Sequence, residues 1–415
     1  MAQGISTAAT TSSAGTSQRG TSRSASAELP ASAELPESRS GSAAATLPIV
    51  NQSPVARLQD LVSVPLFERP ASELLPDGVR DYVWGGAGEE HTLRDNVAAW
   101  SRQLLAPRVL RDVSAIDTRT SILGTDLAHP ILVAPTAQHR NYAADGEFAT
   151  LAAAAAAEAL FVQSSLGSTA LDEVGAAAAR EGAPWRFQLY IQRDRGFTAD
   201  LVADAVAAGA GALVLTVDTP TLGARDRDKR NQLGRIDGAS YPILASAPMA
   251  ADPAPPHRRV YNPLLAPDIT WDDLEWLVGT AGVPVLTKGH LRGDDALRAV
   301  ECGAAGVIVS NHGARNLDTV PATAVALPGV VAAVDGRVPV LVDGGIRRGT
   351  DVAKALALGA DAVLVGRPVI WGLAVGGAAG AQQVLEILRT ELEMAMALLG
   401  TQTLADITPD ILWPV

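Results

Sequence analysis

The chain has one cysteine, six histidines and few aromatic residues, which make up 4% of its 415 positions. A lone cysteine, Cys302, excludes an intrachain disulfide framework and suits a reducing compartment. No second histidine or cysteine stands at ligand spacing near His312, which argues against a metal site there. There is no block of Lys and Arg, and the formal net charge is −12, so neither nucleic acid nor an anionic membrane surface is expected as main partner. The longest uncharged apolar stretch, Val369 to Ala381, is too short and too rich in glycine to span a bilayer. The N-terminus also lacks the apolar central run of a secretory signal. A cytoplasmic protein is expected. Arg19 and Arg23, in an opening segment without acids, leave organelle targeting open.

What is present is a large core: 47% of residues are hydrophobic and 19% charged, as in soluble globular proteins. The length suits two or three domains, or one large α/β barrel. Residues 1–47 stand apart, rich in Ser, Ala, Thr and Gly, with "ASAELP" at 25–30 and again at 31–36. Such a segment buries too little apolar surface to offset its ordering entropy, so a disordered tail is expected.

From residue 130 a pattern recurs. Eight short runs rich in Val, Ile and Leu end in polar or glycine residues: "PILVAP" (130–135), "LFVQSS" (160–165), "WRFQLYI" (185–191), "ALVLTVD" (212–218), "VPVLTKG" (283–289), "GVIVSNHG" (306–313), "PVLVDGG" (339–345) and "AVLVGRP" (362–368). They alternate little, as expected of strands buried on both faces of a parallel sheet. Alanine-rich helical stretches such as "GEFATLAAAAAAEA" and "GTDVAKALALG" separate them. Eight strand–helix units predict an α/β protein with a (β/α)8 (TIM) barrel over 130–399. A doubly wound sheet is the runner-up, weakened because no GxGxxG follows the first strand. Residues 48–129 should form a helical extension covering the base or side of the barrel, with one helix around "GEEHTLRDNVAAWSRQL", and 400–415 a C-terminal tail. The connection after the fourth strand is too long for a plain turn; its Pro/Ala-rich part, about 232–265, is expected to be a mobile loop over the barrel mouth.

In this fold the active site collects at the C-terminal ends of the strands. Those ends supply Pro135, Thr136, Ala137, Ser164, Gln188, Tyr190, Thr216, Asp218, Lys288, His312, Arg315, Asp343, Gly344, Gly345, Gly366 and Arg367. The glycine turns "DGGIRRG" and "GRP", with Arg347 and Arg367, fall after strands seven and eight, where barrels commonly hold a phosphate. Lys288 is a candidate Schiff-base nucleophile or a fixed charge beside an anionic cofactor. His312 reads as a general base or a satisfied loop histidine, with Asp218 placed to orient it. Arg315 offers a planar fork for a carboxylate, and Arg225, in "GARDRDKRN", a second clamp. A base and a carboxylate fork beside a phosphate-bearing cofactor suit removal of hydrogen from the carbon next to a carboxylate.

"SNHGARNLD", "LVDGGIRRGTDVAKALALGADAVLVGRP", "LTVDTPTLGARDRDKRN", "APTA" and "QLY" together resemble the FMN-dependent 2-hydroxy acid oxidases and dehydrogenases, in matching order from about Leu74 to Leu399. The resemblance implies that His312 is the base and that Asp218 orients it. It implies that Arg315 and Arg225 grip the substrate carboxylate, with Tyr82 (in "RDYVWGGAG") and Tyr190 hydrogen-bonding substrate. Lys288 would stand near the flavin pyrimidine. Pro135 to Ala137, Ser164, Gln188 and Thr216 would line the isoalloxazine, and Asp343 to Arg347 with Gly366 and Arg367 would hold the ribityl phosphate. The implied reaction oxidises an (S)-2-hydroxy acid to the 2-oxo acid, with oxygen reoxidising FMN to give hydrogen peroxide. A quinone or other carrier as acceptor, or lactate monooxygenase-like chemistry, are the alternatives. A barrel lyase or isomerase using Lys288 covalently is the reading from another class. A homo-oligomer, tetramer or octamer, is also implied. Two departures bear on the substrate: Ala143-Ala144 replace the family's frequent His-Pro, and Leu166 stands where glycolate oxidase has a tryptophan.

Overall fold

The computed structural model describes residues 57–231, 241–249 and 258–414. The tail expected over 1–47 lies outside these residues, as does half of the loop expected at 232–265. Eight parallel strands close into a barrel: β1 (Ile131–Val133), β2 (Phe161–Ser164), β3 (Trp185–Leu189), β4 (Leu213–Thr216), β5 (Val285–His290), β6 (Gly306–Val309), β7 (Val340–Asp343) and β8 (Ala362–Val365). Each run predicted from sequence holds one of them, β5 alone running one residue past its run to His290, and β8 pairs with β1 to complete the ring. The fold is the (β/α)8 barrel.

Helices α1 (Pro65–Leu74), α2 (Asp77–Trp84) and α3 (His91–Arg102) precede the barrel. Its connections carry α4 (Gly146–Ala156), α5 (Leu171–Glu181), α6 (Arg195–Ala207), α7 (Asp226–Arg230), α8 (Trp271–Ala281), α9 (Gly293–Glu301), α10 (Thr323–Val334) and α11 (Gly349–Ala357). The last, α12 (Arg367–Leu399), is interrupted at Gly376 and Gly377, whose backbone angles are not helical. Among the described residues no helix is long and apolar enough to cross a membrane.

Side chains alternate across each strand. Leu132, Val162, Val214, Leu286, Ile308, Leu341 and Leu364 fill the barrel, while Ile131, Phe161, Phe187, Leu213, Val307 and Val363 face the helices. Both faces are therefore apolar, which is why the sequence runs look continuous rather than alternating. The base is closed by a hairpin (Thr120–Ile122 with Thr125–Leu127) rather than by a helix. Its Ile122 and Leu127 join the barrel-filling cluster, and the buried Arg186 guanidinium donates to the Ile122 carbonyl at 2.8 Å. Cys302 is a buried member of the outer core.

Strand periodicity then positions the site. Stepping two residues on from each inward-facing side chain reaches Ala134, Ser164, Gln188, Thr216, Lys288, Ser310, Asp343 and Gly366. These eight form the inner rim of the mouth.

Candidate active site

A cleft of about 1170 Å³, open mouth included, lies over that rim. Of the residues singled out from sequence, Tyr82, Pro135, Thr136, Ala137, Ser164, Gln188, Tyr190, Thr216, Arg225, Lys288, His312, Arg315, Asp343, Gly344, Gly345, Arg347, Gly366 and Arg367 all line it. Asp218 stands behind His312.

The His312 backbone adopts φ +58°, a left-handed conformation that histidine enters more readily than most side chains. His312 Nδ1 lies 2.9 Å from Asp218 Oδ1 and 3.2 Å from Thr219 Oγ1. The network assigns the proton to Nδ1, donated to the carboxylate, which leaves the Nε2 lone pair facing the cleft. Tyr190 Oη lies 3.5 Å from that Nε2. Burial lowers the imidazole pKa and outweighs the opposing pull of Asp218, so the ring is neutral at neutral pH. Burial raises the Asp218 pKa, but His312, Lys288 and Thr219 outweigh it and hold the carboxyl below its usual range.

Arginines dominate the rest. Arg315 lies over the Tyr82 ring at 4.6 Å and Arg225 at 5.9 Å, so two cations flank one phenol. Arg315 donates to the carbonyls of Tyr82 and Gly85, and Arg367 to those of Val83 and Gly85, with Arg367 Nε 2.7 Å from Val83 O. The unpaired carbonyls at the C-terminal end of α2 thus aim both guanidiniums. Arg347 stacks on Trp371 at 4.7 Å. Arg225 pairs with Asp228 at 3.2 Å, whereas no carboxylate among the described residues is within ion-pair distance of Arg315, Arg347 or Arg367. Burial pulls the pKa of Arg347 down to about 10 and that of Arg367 to about 9. Half-buried cations without an anion are costly, and these two flank the glycine turn and the N-terminus of α12.

Lys288 Nζ lies 3.1 Å from Asp343 Oδ2 and donates to Ser310 Oγ at 2.8 Å. Burial lowers its pKa, but Asp343 and Asp218 outweigh burial and keep the ammonium protonated. A protonated amine is no nucleophile, which counts against the covalent-lysine reading. Asp343 also sits differently from the phosphate-holding role the resemblance implies. Its carboxylate is engaged with Lys288, and its other oxygen, Oδ1, has no partner among the described residues. Gly345 (φ +85°) is required by packing as well as by conformation, since a Cβ there would strike the Asn96 carbonyl of α3. A ladder across β2 to β4 runs from Ser164 Oγ to Gln188 Oε1 (3.1 Å) and from Gln188 Nε2 to Thr216 Oγ1 (3.0 Å).

These features fit a flavin mononucleotide: two half-buried guanidiniums short of an anion, an orphaned buried carboxylate oxygen suited to a ribityl hydroxyl, and a polar ladder with an ammonium beside it. Sequence reading passed over several side chains of the site. Ser310 holds both Lys288 and the His312 backbone N–H, and the two-residue strand step would have found it. Asn316 donates to Asp218 Oδ1 and to Thr219, one helical turn's distance from His312 within the quoted motif. Asn96 and Asn311 exchange amide hydrogen bonds of 2.9 and 2.8 Å, a pairing between distant segments that carries no local signal. Tyr142 and Leu222 complete the wall.

Residues 71–414 match the FMN-dependent dehydrogenase family. The chain is 47% identical over 352 residues to a peroxisomal (S)-2-hydroxy-acid oxidase of Oryza sativa subsp. japonica, spanning 84% of this chain and 94% of that one. It is 48% identical over 352 residues to an L-lactate oxidase of Nostoc sp., spanning 83% and 96% respectively. Among solved structures, mandelate oxidase with (S)-2-phenylpropionate shares 40% identity and superposes with a TM-score of 0.74, covering 83% of this chain and 96% of the other. Similarity of that extent takes in every strand of the barrel and every side chain of the cleft, and the chain belongs to the FMN-dependent dehydrogenase family.

Proposed function

We propose that this protein oxidises an (S)-2-hydroxy acid to the 2-oxo acid and uses oxygen as final acceptor, releasing hydrogen peroxide. The observation that carries the reading is one neutral imidazole, locked to a carboxylate at Nδ1, whose free Nε2 faces a cleft edged by two guanidiniums. Bound FMN supplies the two-electron acceptor. The chain supplies the rest. Arg315 and Arg225 grip the substrate carboxylate with Tyr82 between them. Tyr190 hydrogen-bonds the C2 oxygen, and His312 Nε2 takes a proton from C2 or from its hydroxyl. Arg347, Arg367 and the turn Gly344–Gly345 with Gly366 hold the phosphate. Pro135 to Ala137, Ser164, Gln188, Thr216 and Lys288 meet the ring.

Purified protein should be yellow. Without oxygen it should lose that colour when given an (S)-2-hydroxy acid and keep it with the (R) enantiomer; in air, peroxide should form in step with the 2-oxo acid. Colourless protein that FMN does not restore would sink the reading. Loss of colour without peroxide in air would move it to a carrier-dependent dehydrogenase.

The pH profile is a second check. The base must be neutral, and its pKa lies below the ordinary 6.5, so the acid limb of kcat/KM should be centred below pH 6.5. An acid limb centred above pH 6.5 would contradict the assignment. We further read the protein as a homo-oligomer, tetramer or octamer, and as cytoplasmic. Light scattering tests the first, and fractionation of cells expressing the full chain tests the second against the peroxisomal location named for the rice relative.

A further inference from the structure

We propose that Tyr142 sets substrate choice: its hydroxyl bonds a polar group on the third carbon of the substrate, so that hydroxy acids carrying a hydroxyl there are preferred to alkyl ones. The inference rests on the 2-hydroxy acid reading above and narrows it.

The chain has five tyrosines. Three of them, Tyr82, Tyr142 and Tyr190, line the one cleft. Tyr142 arrives through the short turn His139–Asn141 that follows β1, and only 7% of its surface is exposed. Its ring lies 6.3 Å from that of His139, itself pinned by Thr136 Oγ1 at 2.6 Å and Thr150 Oγ1 at 2.8 Å. The phenol is therefore held in place by a fully buried, doubly bonded neighbour. Its hydroxyl is different: among the described residues it has no hydrogen-bond partner, yet it is not one of the sealed, orphaned polar atoms. A buried ring with an open hydroxyl presents that hydroxyl to the cleft. Burial raises the pKa of the phenol well above its ordinary value, with Tyr82 and Arg315 acting on it next, and both of these line the substrate end of the same cleft.

Every other polar part of a 2-hydroxy acid already has partners. Arg315, Arg225 and Tyr82 serve the carboxylate, and His312 and Tyr190 the C2 oxygen. The substrate side chain remains, and the nearby walls Leu166 and Leu222 are apolar. An ethyl group there removes water from the phenol without replacing its hydrogen bond; a hydroxymethyl group replaces it.

(S)-Glycerate and (S)-2-hydroxybutanoate test this, because they differ by an oxygen in place of a methyl group. With FMN-loaded enzyme, the wild type should favour glycerate. Tyr142→Phe should move the kcat/KM ratio toward hydroxybutanoate about three- to tenfold, the value of one hydrogen bond, with flavin content and spectrum unchanged. Tyr190→Phe should slow both acids together and leave the ratio alone. Where one acid is not oxidised, the comparison is made on binding, and Tyr142→Phe should raise the Kd or Ki of glycerate relative to that of hydroxybutanoate by the same factor. An unchanged ratio in Tyr142→Phe, with both acids oxidised or inhibiting, overturns the role of Tyr142 alone. Wild-type enzyme that neither oxidises nor binds either acid overturns it together with the broader reading.

Discussion

Replacing His312 with asparagine should leave a folded, yellow protein whose kcat falls between a hundredfold and about ten-thousandfold. Asparagine is the cleaner choice over alanine because it tolerates the left-handed backbone at this position (φ +58°), where alanine adds strain. Its amide also keeps a donor for Asp218, whose Oδ2 already lacks a partner among the described residues. What the substitution removes is basicity, and basicity is what the proposal needs. The measurements are single-turnover loss of flavin colour, FMN content and thermal midpoint, taken together. A variant within tenfold of the wild type would take His312 out of the chemistry. Loss of FMN along with activity would point to a structural role. His312→Ala should show the same kinetic loss with a lower midpoint.

The barrel was legible because its strands are buried on both faces and so read as eight unbroken apolar runs. Most of the cleft followed from one rule, that strand ends face the mouth. The rule applied at the level of whole ends picked out Lys288 and Asp343 but gave no hint that they pair with each other. Their separation in sequence hides a contact that exists only because β5 and β7 flank β6 in a closed ring. The hairpin that plugs the base was illegible for another reason. Its strands are three residues long and half-exposed, with only Ile122 and Leu127 turned inward, too little for any periodicity to register. Tyr142 sits in an irregular turn where neither strand nor helix spacing says which way a side chain points.

Asp218→Asn should lower kcat/KM about a hundredfold or more and move its acid limb further down in pH. The direction follows from who donates to whom. Thr219 Oγ1 (2.9 Å), Asn316 Nδ2 (3.2 Å) and His312 Nδ1 (2.9 Å) all converge on Asp218 Oδ1, so that position demands an acceptor. An asparagine there turns its carbonyl oxygen to the three donors and its amide toward the place of Oδ2. The imidazole tautomer is therefore kept, and Nε2 remains the free nitrogen. Only the negative charge goes. That charge stabilises the imidazolium formed when His312 accepts a proton, and breaking a buried pair of this kind costs roughly 3 kcal/mol, about two powers of ten in rate. With the carboxylate gone, burial acts on His312 with less opposition, so its pKa drops below the already lowered wild-type value. A tautomer flip would instead abolish the acceptor at Nε2, with a loss nearer ten-thousandfold and no pH at which activity returns. A limb that stays in place, or activity within a few-fold of wild type, would mean that Asp218 only holds the loop bearing Asn316 and Thr219 in place.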